Sequence, residues 1–489
     1  MSDLLELISL RLSKDWGDKA KELLERWVVQ RYGARWEKKM QLQVNGNPTE
    51  DAAPFAALIP AGQPKSGAYG GMSFVLFPST AAAAWVALGI GTNGLAPDEQ
   101  SLGRPGHARK VAAICRWLNR RSKSAVAWAK RDPVRIDLGM PKQITDRLEP
   151  YRAAAEKYDK VIYGVFIPND EQTTENDKIT LDAATTLADL FSEERGIEPL
   201  KAFADEKRRA RDEWLACALP NTTEKDVVDL LEQRRFVILE GPPGTGKTRL
   251  AEQLRGKLFP RWKTIQFHPS MTYELFIGGL APEKSSDGMG FRFSPRRGAL
   301  MEAAVEAQAH PNQRFLLHID EINRADLAKV LGEAIYLFEP ASPDRVVDLP
   351  YDFGAPIGHS LKLPTNLFVV GTMNSADRSI AILDIAVRRR FAFLPVWPDN
   401  DVLVQQNASP RSREAFQRLF SIFLEDASDD ALALMPGHAY FLDNGNNPDL
   451  FLRTGLRPLL QEYLIQGYVS GFADSIRVYL DWLEATSIS

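Results

Sequence analysis

The stretch Gly241-Pro242-Pro243-Gly244-Thr245-Gly246-Lys247-Thr248 constrains this chain more than any other. It is a complete G-x-x-x-x-G-K-[ST] pattern. An apolar run, Phe236–Leu239, precedes it, and a helix-like segment from Arg249 to Leu258 follows. Glycines at these places let backbone N–H groups turn inward and meet phosphate oxygens with no side chain between. The start of the following helix adds partial positive charge. Lys247 is placed to reach β- and γ-phosphates, and Thr248 to ligate Mg2+ through its hydroxyl; Arg249 closes the expected nucleotide-binding stretch.

From about residue 222 short apolar runs alternate with longer helical patterns. The runs are Phe236–Leu239, Thr264–Phe267, Phe315–Ile319, Leu367–Gly371 and Phe391–Pro395. Each is nearly continuous, as strands buried on both faces of a parallel sheet are. Alternation with helices predicts right-handed βαβ units and an α/β core. Three domains are expected: an N-terminal α+β domain over 1–215, an α/β nucleotide-binding domain over 216–400 and a helical lid over 401–489.

Three further elements belong with the phosphate loop. Phe315-Leu-Leu-His-Ile-Asp320-Glu321 is an apolar run ending in two carboxylates. Asp320 then lies at the carboxyl end of its strand, where open α/β sheets bind ligands, placed to hold the Mg2+ shell. Glu321 is placed to polarise a water for in-line attack on the γ-phosphate. Asn374, at the end of Leu367-Phe-Val-Val-Gly-Thr-Met-Asn374, is expected between the carboxylates and the γ-phosphate, orienting that water. Arg388-Arg389-Arg390 precede a buried run; one of them serves a neighbour's nucleotide in trans, or the three form a solvated basic cluster. The first alternative requires a ring, because each site is then completed by the next subunit.

Taken together, the phosphate loop, residues 319–340 (IDEINRADLAKVLGEAIYLFEP) and residues 371–393 (GTMNSADRSIAILDIAVRRRFAF) resemble the AAA+ motor subunit of McrBC-type, modification-dependent restriction systems. Met373 to Ser379 followed by RRRF marks the subfamily, as do His268-Pro-Ser-Met-Thr-Tyr-Glu274, Phe276-Ile-Gly-Gly279 and Pro436-Gly-His438-Ala-Tyr-Phe441. The resemblance covers about residues 220–470 and is loose between the motifs. It implies a P-loop NTPase core with a helical lid, and a nucleotide-driven ring, usually hexameric, that moves on or remodels DNA. A separate McrC-like subunit would carry the nuclease and stimulate hydrolysis. Asn374 and Asp377 fall in the signature loop that responds to that partner, and Arg389, with Arg390 beside it, on the trans-acting arginine. Residues 275–300 fall on a hairpin insertion into the ring pore, with Arg292, Arg296 and Arg297 either on phosphates or on the rim. Whether GTP or ATP is used stays open, since a phosphate cradle does not choose the base. A MoxR-type remodeller of protein partners would share the loop and carboxylates but lack the signature loop; a nucleotide-gated scaffold would not need Lys247, Glu321 and Asn374 intact.

Residues 1–215 carry no motif of their own that assigns them to a family; the resemblance implies that this position holds the specificity domain, often one that reads modified bases in DNA. One segment there suggests DNA contact. Between Ser101 and Arg135 ten basic residues face one acid: Arg104, Arg109, Lys110, Arg116, Arg120, Arg121, Lys123, Lys130, Arg131 and Arg135 against Asp132, with Trp117 and Trp128 among them. Basic residues mixed with aromatics suit backbone contact plus stacking, although Trp117 and Leu118 equally suit the core face of an amphipathic helix. The net charge of −4 hides this: residues 1–220 carry 32 basic and 30 acidic groups, the remainder 28 and 34. The two cysteines, Cys115 and Cys217, cannot frame a chain of 489 residues and read as buried small hydrophobes. The start lacks a basic region followed by an apolar core, and the most apolar short run, Ala81–Ile90, is too short to span a bilayer, so a cytoplasmic protein without membrane association is expected.

Overall fold

The computed structural model describes the chain except residues 1, 48–51, 123, 172, 221, 257, 285–289, 377–384, 444–446 and 486–489. It divides into two compact units, Met1–Leu219 with Ser421–Asp429, and Pro220–Phe420 with Asp430–Ser489.

The first unit is built on a six-stranded antiparallel sheet: β1 (Met40–Asn45), β2 (Phe55–Pro60), β3 (Met72–Phe77), β4 (Trp85–Ile90), β5 (Val126–Ala129) and β6 (Ile162–Ile167), in the order β1-β2-β3-β4-β6-β5. Strands β2, β3, β4 and β6 are buried along their whole length, so both faces are covered. Phe55, Ala57, Ile59, Val75, Phe77, Trp85 and Ala87 pack against Ile144, Leu148, Tyr151 and Ala154 on one face. The helices Pro105–Arg121 and Thr174–Glu193 touch the sheet elsewhere. The strand-like runs Phe74–Phe77, Trp85–Ile90 and Val161–Ile167 of the sequence correspond to β3, β4 and β6, whereas β1 and β2 emerge only in the structure. Residues 104–131 have a helical look in the sequence, whereas the helix stops at Arg121 and β5 follows, held by Asn119, whose side chain exchanges hydrogen bonds with the backbone of Ala127.

One polar cluster lies inside this unit. Arg31, at the end of the helix Trp16–Tyr32, donates Nε and Nη2 to the two oxygens of Asp189 at 2.7 and 2.6 Å, and the Tyr32 hydroxyl donates to Oδ1 at 2.8 Å. The fork geometry satisfies the carboxylate completely. Both ionic side chains are nearly solvent-free.

The second unit holds a five-stranded parallel sheet of β7 (Phe236–Gly241), β8 (Arg261–Gln266), β11 (Phe315–Asp320), β14 (Leu367–Asn374) and β15 (Ala392–Pro395), in the order β15-β7-β14-β11-β8. Two small antiparallel pairs accompany it, β9 (Gly278–Lys284) with β10 (Phe291–Arg297), and β12 (Val346–Asp348) with β13 (Ser360–Lys362). The three central strands β7, β14 and β11 are buried on both faces, as continuous apolar runs require. Strand β8 is an edge strand whose burial alternates, and it comprises Arg261–Gln266 rather than Thr264–Phe267. The segment from Asn400 to Ala485 is helical, including Asn400–Gln405, Pro410–Asp426, Arg457–Ile465 and Ala473–Ala485, and lacks strands among its described residues. Among the described residues no helix is long and apolar enough to cross a membrane.

Removing one partner of a buried ion pair strands the other charge, at a cost of about 3–5 kcal/mol. Arg31 also donates Nη1 to Glu206 at 3.1 Å, so Asp189→Ala leaves it partly paired and should lower the stability of the first unit by about 3 kcal/mol, read as an earlier chemical-denaturation midpoint by circular dichroism; an unshifted midpoint would show that Glu206 alone satisfies the guanidinium.

Candidate functional site

The parallel register sets the site. Ile319 lies opposite Gly371 and Thr372 opposite Leu239, so the ends of β7, β14 and β11 come together at one edge of the sheet. The phosphate loop leaves β7 there. Gly244 and Gly246 have φ of 79° and 78°, left-handed values that glycine adopts without cost, and Gly246 caps the helix Lys247–Gln253.

Lys247 is buried, and its Nζ donates to the carbonyls of Gly241 at 3.0 Å and Pro242 at 2.7 Å. The ammonium is stowed on its own loop. Burial pushes it down to about 8, against the pull of Glu321 and Asp320.

Asp320 ends β11 and Glu321 follows it. The Asp320 Oδ1 accepts from the hydroxyl of Thr248 at 2.9 Å and from that of Thr372 at 2.6 Å. Thr372 in turn accepts from the backbone N–H of Glu321 at 3.1 Å. Glu321 has φ of 53°, a costly conformation for a side-chain-bearing residue, of the kind that functional sites retain. Its Oε1 accepts from Asn374 Nδ2 at 2.7 Å, while Arg324 Nε stands 3.5 Å from Oε2. The Asn323 amide donates to the Asn374 carbonyl at 3.2 Å, tying the end of β14 to the turn after β11. His318 is fully buried behind Asp320, and burial pushes it below its ordinary value.

A second segment covers the loop. Gly437 N–H donates to the Pro243 carbonyl at 2.9 Å and Ala439 N–H to the Gly244 carbonyl at 3.0 Å. A side chain on Gly437 would begin 2.1 Å from the Gly244 carbonyl carbon, so only glycine fits. The Tyr440 ring lies against Gly244, and the buried His438 lies against Gly246.

Thus Lys247, Thr248, Asp320, Glu321 and Asn374 form one cluster with the loop residues Gly241, Pro242, Pro243, Gly244, Thr245 and Gly246. Thr372, Asn323 and Arg324 join it without having been singled out in the sequence; the signal for Thr372 was a lone hydroxyl in an otherwise apolar strand. Arg389 lies outside the cluster, on the helix Ile385–Arg390, with its side chain 73% exposed and 3.5 Å from Glu339. Arg390 donates to the Ala386 carbonyl. Asp377 lies outside the described residues. On the hairpin, Arg292 is 3.7 Å from Glu283, Arg296 belongs to β10, Arg297 donates to the carbonyls of residues 353–355, and Phe291 and Phe293 are exposed.

The basic run of the first unit is largely occupied. Arg109 donates to the carbonyls of Leu424 and Ala427 of the same unit, Arg116 to those of Cys217 and Ala218, and Arg120 to the Cys217 sulfur. Lys110 pairs with Glu194 and Arg121 with Asp182. Trp117 is buried and donates to Glu213. Arg104 and Arg131 of this run are exposed and carry no recorded side-chain bond. A run of basic residues on one helix says nothing of the carbonyls and carboxylates that other segments bring to it.

Oxygen donors at the Thr248–Asp320 pair suit Mg2+, which takes one or two protein ligands and fills its shell with water and phosphate. No cluster of three or more His, Cys, Asp or Glu that could hold a metal ion occurs among the described residues.

Residues 236–391 match the AAA domain family, dynein-related subfamily. The chain is 34% identical over 268 residues to the type IV methyl-directed restriction enzyme EcoKMcrB subunit of Escherichia coli, covering 50% of this chain and 57% of that protein. It is 30% identical over 192 residues to the type II restriction enzyme BsuMI component YdiS of Bacillus subtilis, covering 32% of this chain and 55% of that one. The chain thus spans little more than half the length of either relative.

A polyphosphate replacing the neutral carbonyls around Lys247 favours its charged form, so the bound protein keeps a proton that the free protein loses as pH rises through about 8. Affinity for ATP or GTP should fall between pH 7.5 and 9.5, with proton uptake on binding. Calorimetry in two buffers of different ionisation enthalpy measures this, and an affinity flat across that range would contradict it.

Proposed function

From a chain whose AAA domain is McrB-like, we propose a nucleoside triphosphatase that works as the motor and recognition subunit of a McrBC-like restriction complex. The observation that carries this is the linked set Thr248–Asp320–Thr372 and Asn374–Glu321, joining the loop to both carboxylates. Thr248 and Asp320 would hold Mg2+, whose charge would offset that of the phosphates. Lys247 turns from the Gly241 and Pro242 carbonyls to the β- and γ-phosphates. Asn374 holds one oxygen of Glu321 so that the carboxylate keeps its aim at the attacking water, and Glu321 accepts the proton that the water gives up.

The subunit acts as a ring. Arg389 is solvent-facing and far too exposed to serve packing, which suits a residue that completes a neighbour's site. The β9–β10 hairpin, with Arg292, Arg296 and exposed phenylalanines, faces DNA in the pore. The first unit supplies recognition, and an McrC-like partner supplies cleavage. Its contact with DNA cannot use Arg109, Lys110, Arg116 and Arg121 without breaking the bonds they make within the unit. ATP and GTP share the phosphate cradle, and a side-by-side turnover assay, with and without DNA and partner, separates them.

Glu321→Gln should bind nucleotide yet lose turnover by about 100-fold or more; unchanged phosphate release would remove Glu321 from the reaction. Arg389→Ala should lower turnover about 1,000-fold while leaving nucleotide binding nearly intact. Mixing it with Lys247→Ala subunits tests the trans role, since hydrolysis restored in the mixture is the signature of a shared site, and two inactive populations that stay inactive at all ratios would speak for action within one subunit.

A further inference from the structure

His438 is buried against the phosphate loop by a segment that the loop itself holds. Its Nδ1 accepts the backbone N–H of Asp399 at 3.3 Å. Burial pushes the imidazole down to about 4, so it is uncharged at neutral pH. A neutral imidazole whose Nδ1 accepts must carry its proton on Nε2. That Nε2 stands 3.5 Å from the place where a side chain on Gly246 would begin. Among the described residues, His438 makes its one side-chain hydrogen bond through Nδ1. An imidazole N–H thus stands beside the loop residue that carries the phosphates.

We propose that His438 is a nucleotide-binding residue, its Nε2–H donating to an α- or β-phosphate oxygen of the nucleotide cradled at Gly246. The α- and β-phosphates are the ones that the backbone N–H groups of such a loop surround. Nothing in the contact distinguishes ATP from GTP. The Gly437 and Ala439 hydrogen bonds to Pro243 and Gly244 hold the imidazole at a constant height above the loop. The inference rests on the nucleotide reading given above.

The test uses the full chain with fluorescent N-methylanthraniloyl derivatives of ATP, GTP and the two diphosphates. His438→Phe keeps a flat ring and removes the donor; His438→Gln keeps an N–H at nearly the Nε2 position. A hydrogen bond to a charged acceptor is worth about 10-fold or more in affinity. His438→Phe should weaken di- and triphosphates alike by about 10-fold or more, with His438→Gln within about threefold of the unsubstituted protein. If His438→Phe binds normally while Lys247→Ala does not, the donor role falls and the nucleotide site stands. If Gln is as weak as Phe, shape and not the donor is what matters, and the proposal falls. A loss confined to triphosphates would overturn the placement at the α- and β-phosphates. Absence of nucleotide binding by the unsubstituted protein would overturn the nucleotide site and this inference together.

Discussion

One carboxylate oxygen, Oδ1 of Asp320, receives both the Thr248 and the Thr372 hydroxyl. Those two bonds connect three elements distant in sequence: the helix after the phosphate loop, the end of β11 and the end of β14. A carboxylate that accepts two hydroxyls loses little on leaving water, because each lone pair withdrawn from solvent meets a donor. With Asp320 so held, Thr372 is free to turn its own lone pair to the Glu321 N–H, and this supports the strained backbone there. Asn374, two residues beyond Thr372 and on the same face of β14, then meets the Glu321 side chain. Spacing along a single strand thereby places both the residue that anchors the turn and the residue that orients the carboxylate.

How much of this was legible depended on how local the information was. The phosphate loop, the Asp320–Glu321 pair and Asn374 announce themselves because the loop needs glycine at set places and the polar groups end apolar runs. Four of the five parallel strands begin within a residue of their apolar runs for the same reason; β8 does not, because an edge strand needs only one buried face and its alternating Arg261–Gln266 conceals it. Strand β1 was hidden by mixed polarity, with Met40 and Gln43 buried and its other four residues only partly so. Gly437 and His438 carried no local signal beyond family likeness: their importance lies in what they touch, almost two hundred residues away along the chain.

The first unit gives the opposite lesson. Ten basic residues in 35 looked like a surface for phosphates. Folding occupies several of them within the unit: Arg116 closes the carbonyls after the helix Ala204–Leu215 and Arg121 meets Asp182. Guanidinium groups serve as well to satisfy stranded carbonyls as to grip a nucleic acid, because both offer oxygen acceptors in the same geometry. The buried Arg31–Asp189 pair is the extreme case, an ion pair with almost no access to water.

The backbone bonds from Gly437 and Ala439 to the loop make the C-terminal helical segment part of the phosphate cradle. Gly437 is pressed so closely on Gly244 that neither can move alone. Swinging the helices beyond residue 437 away from the sheet would break two bonds and unseat the loop carbonyls at the same time. Opening the cover and loosening the grip are therefore a single mechanical event, and whatever pulls on those helices pulls on the bound phosphates.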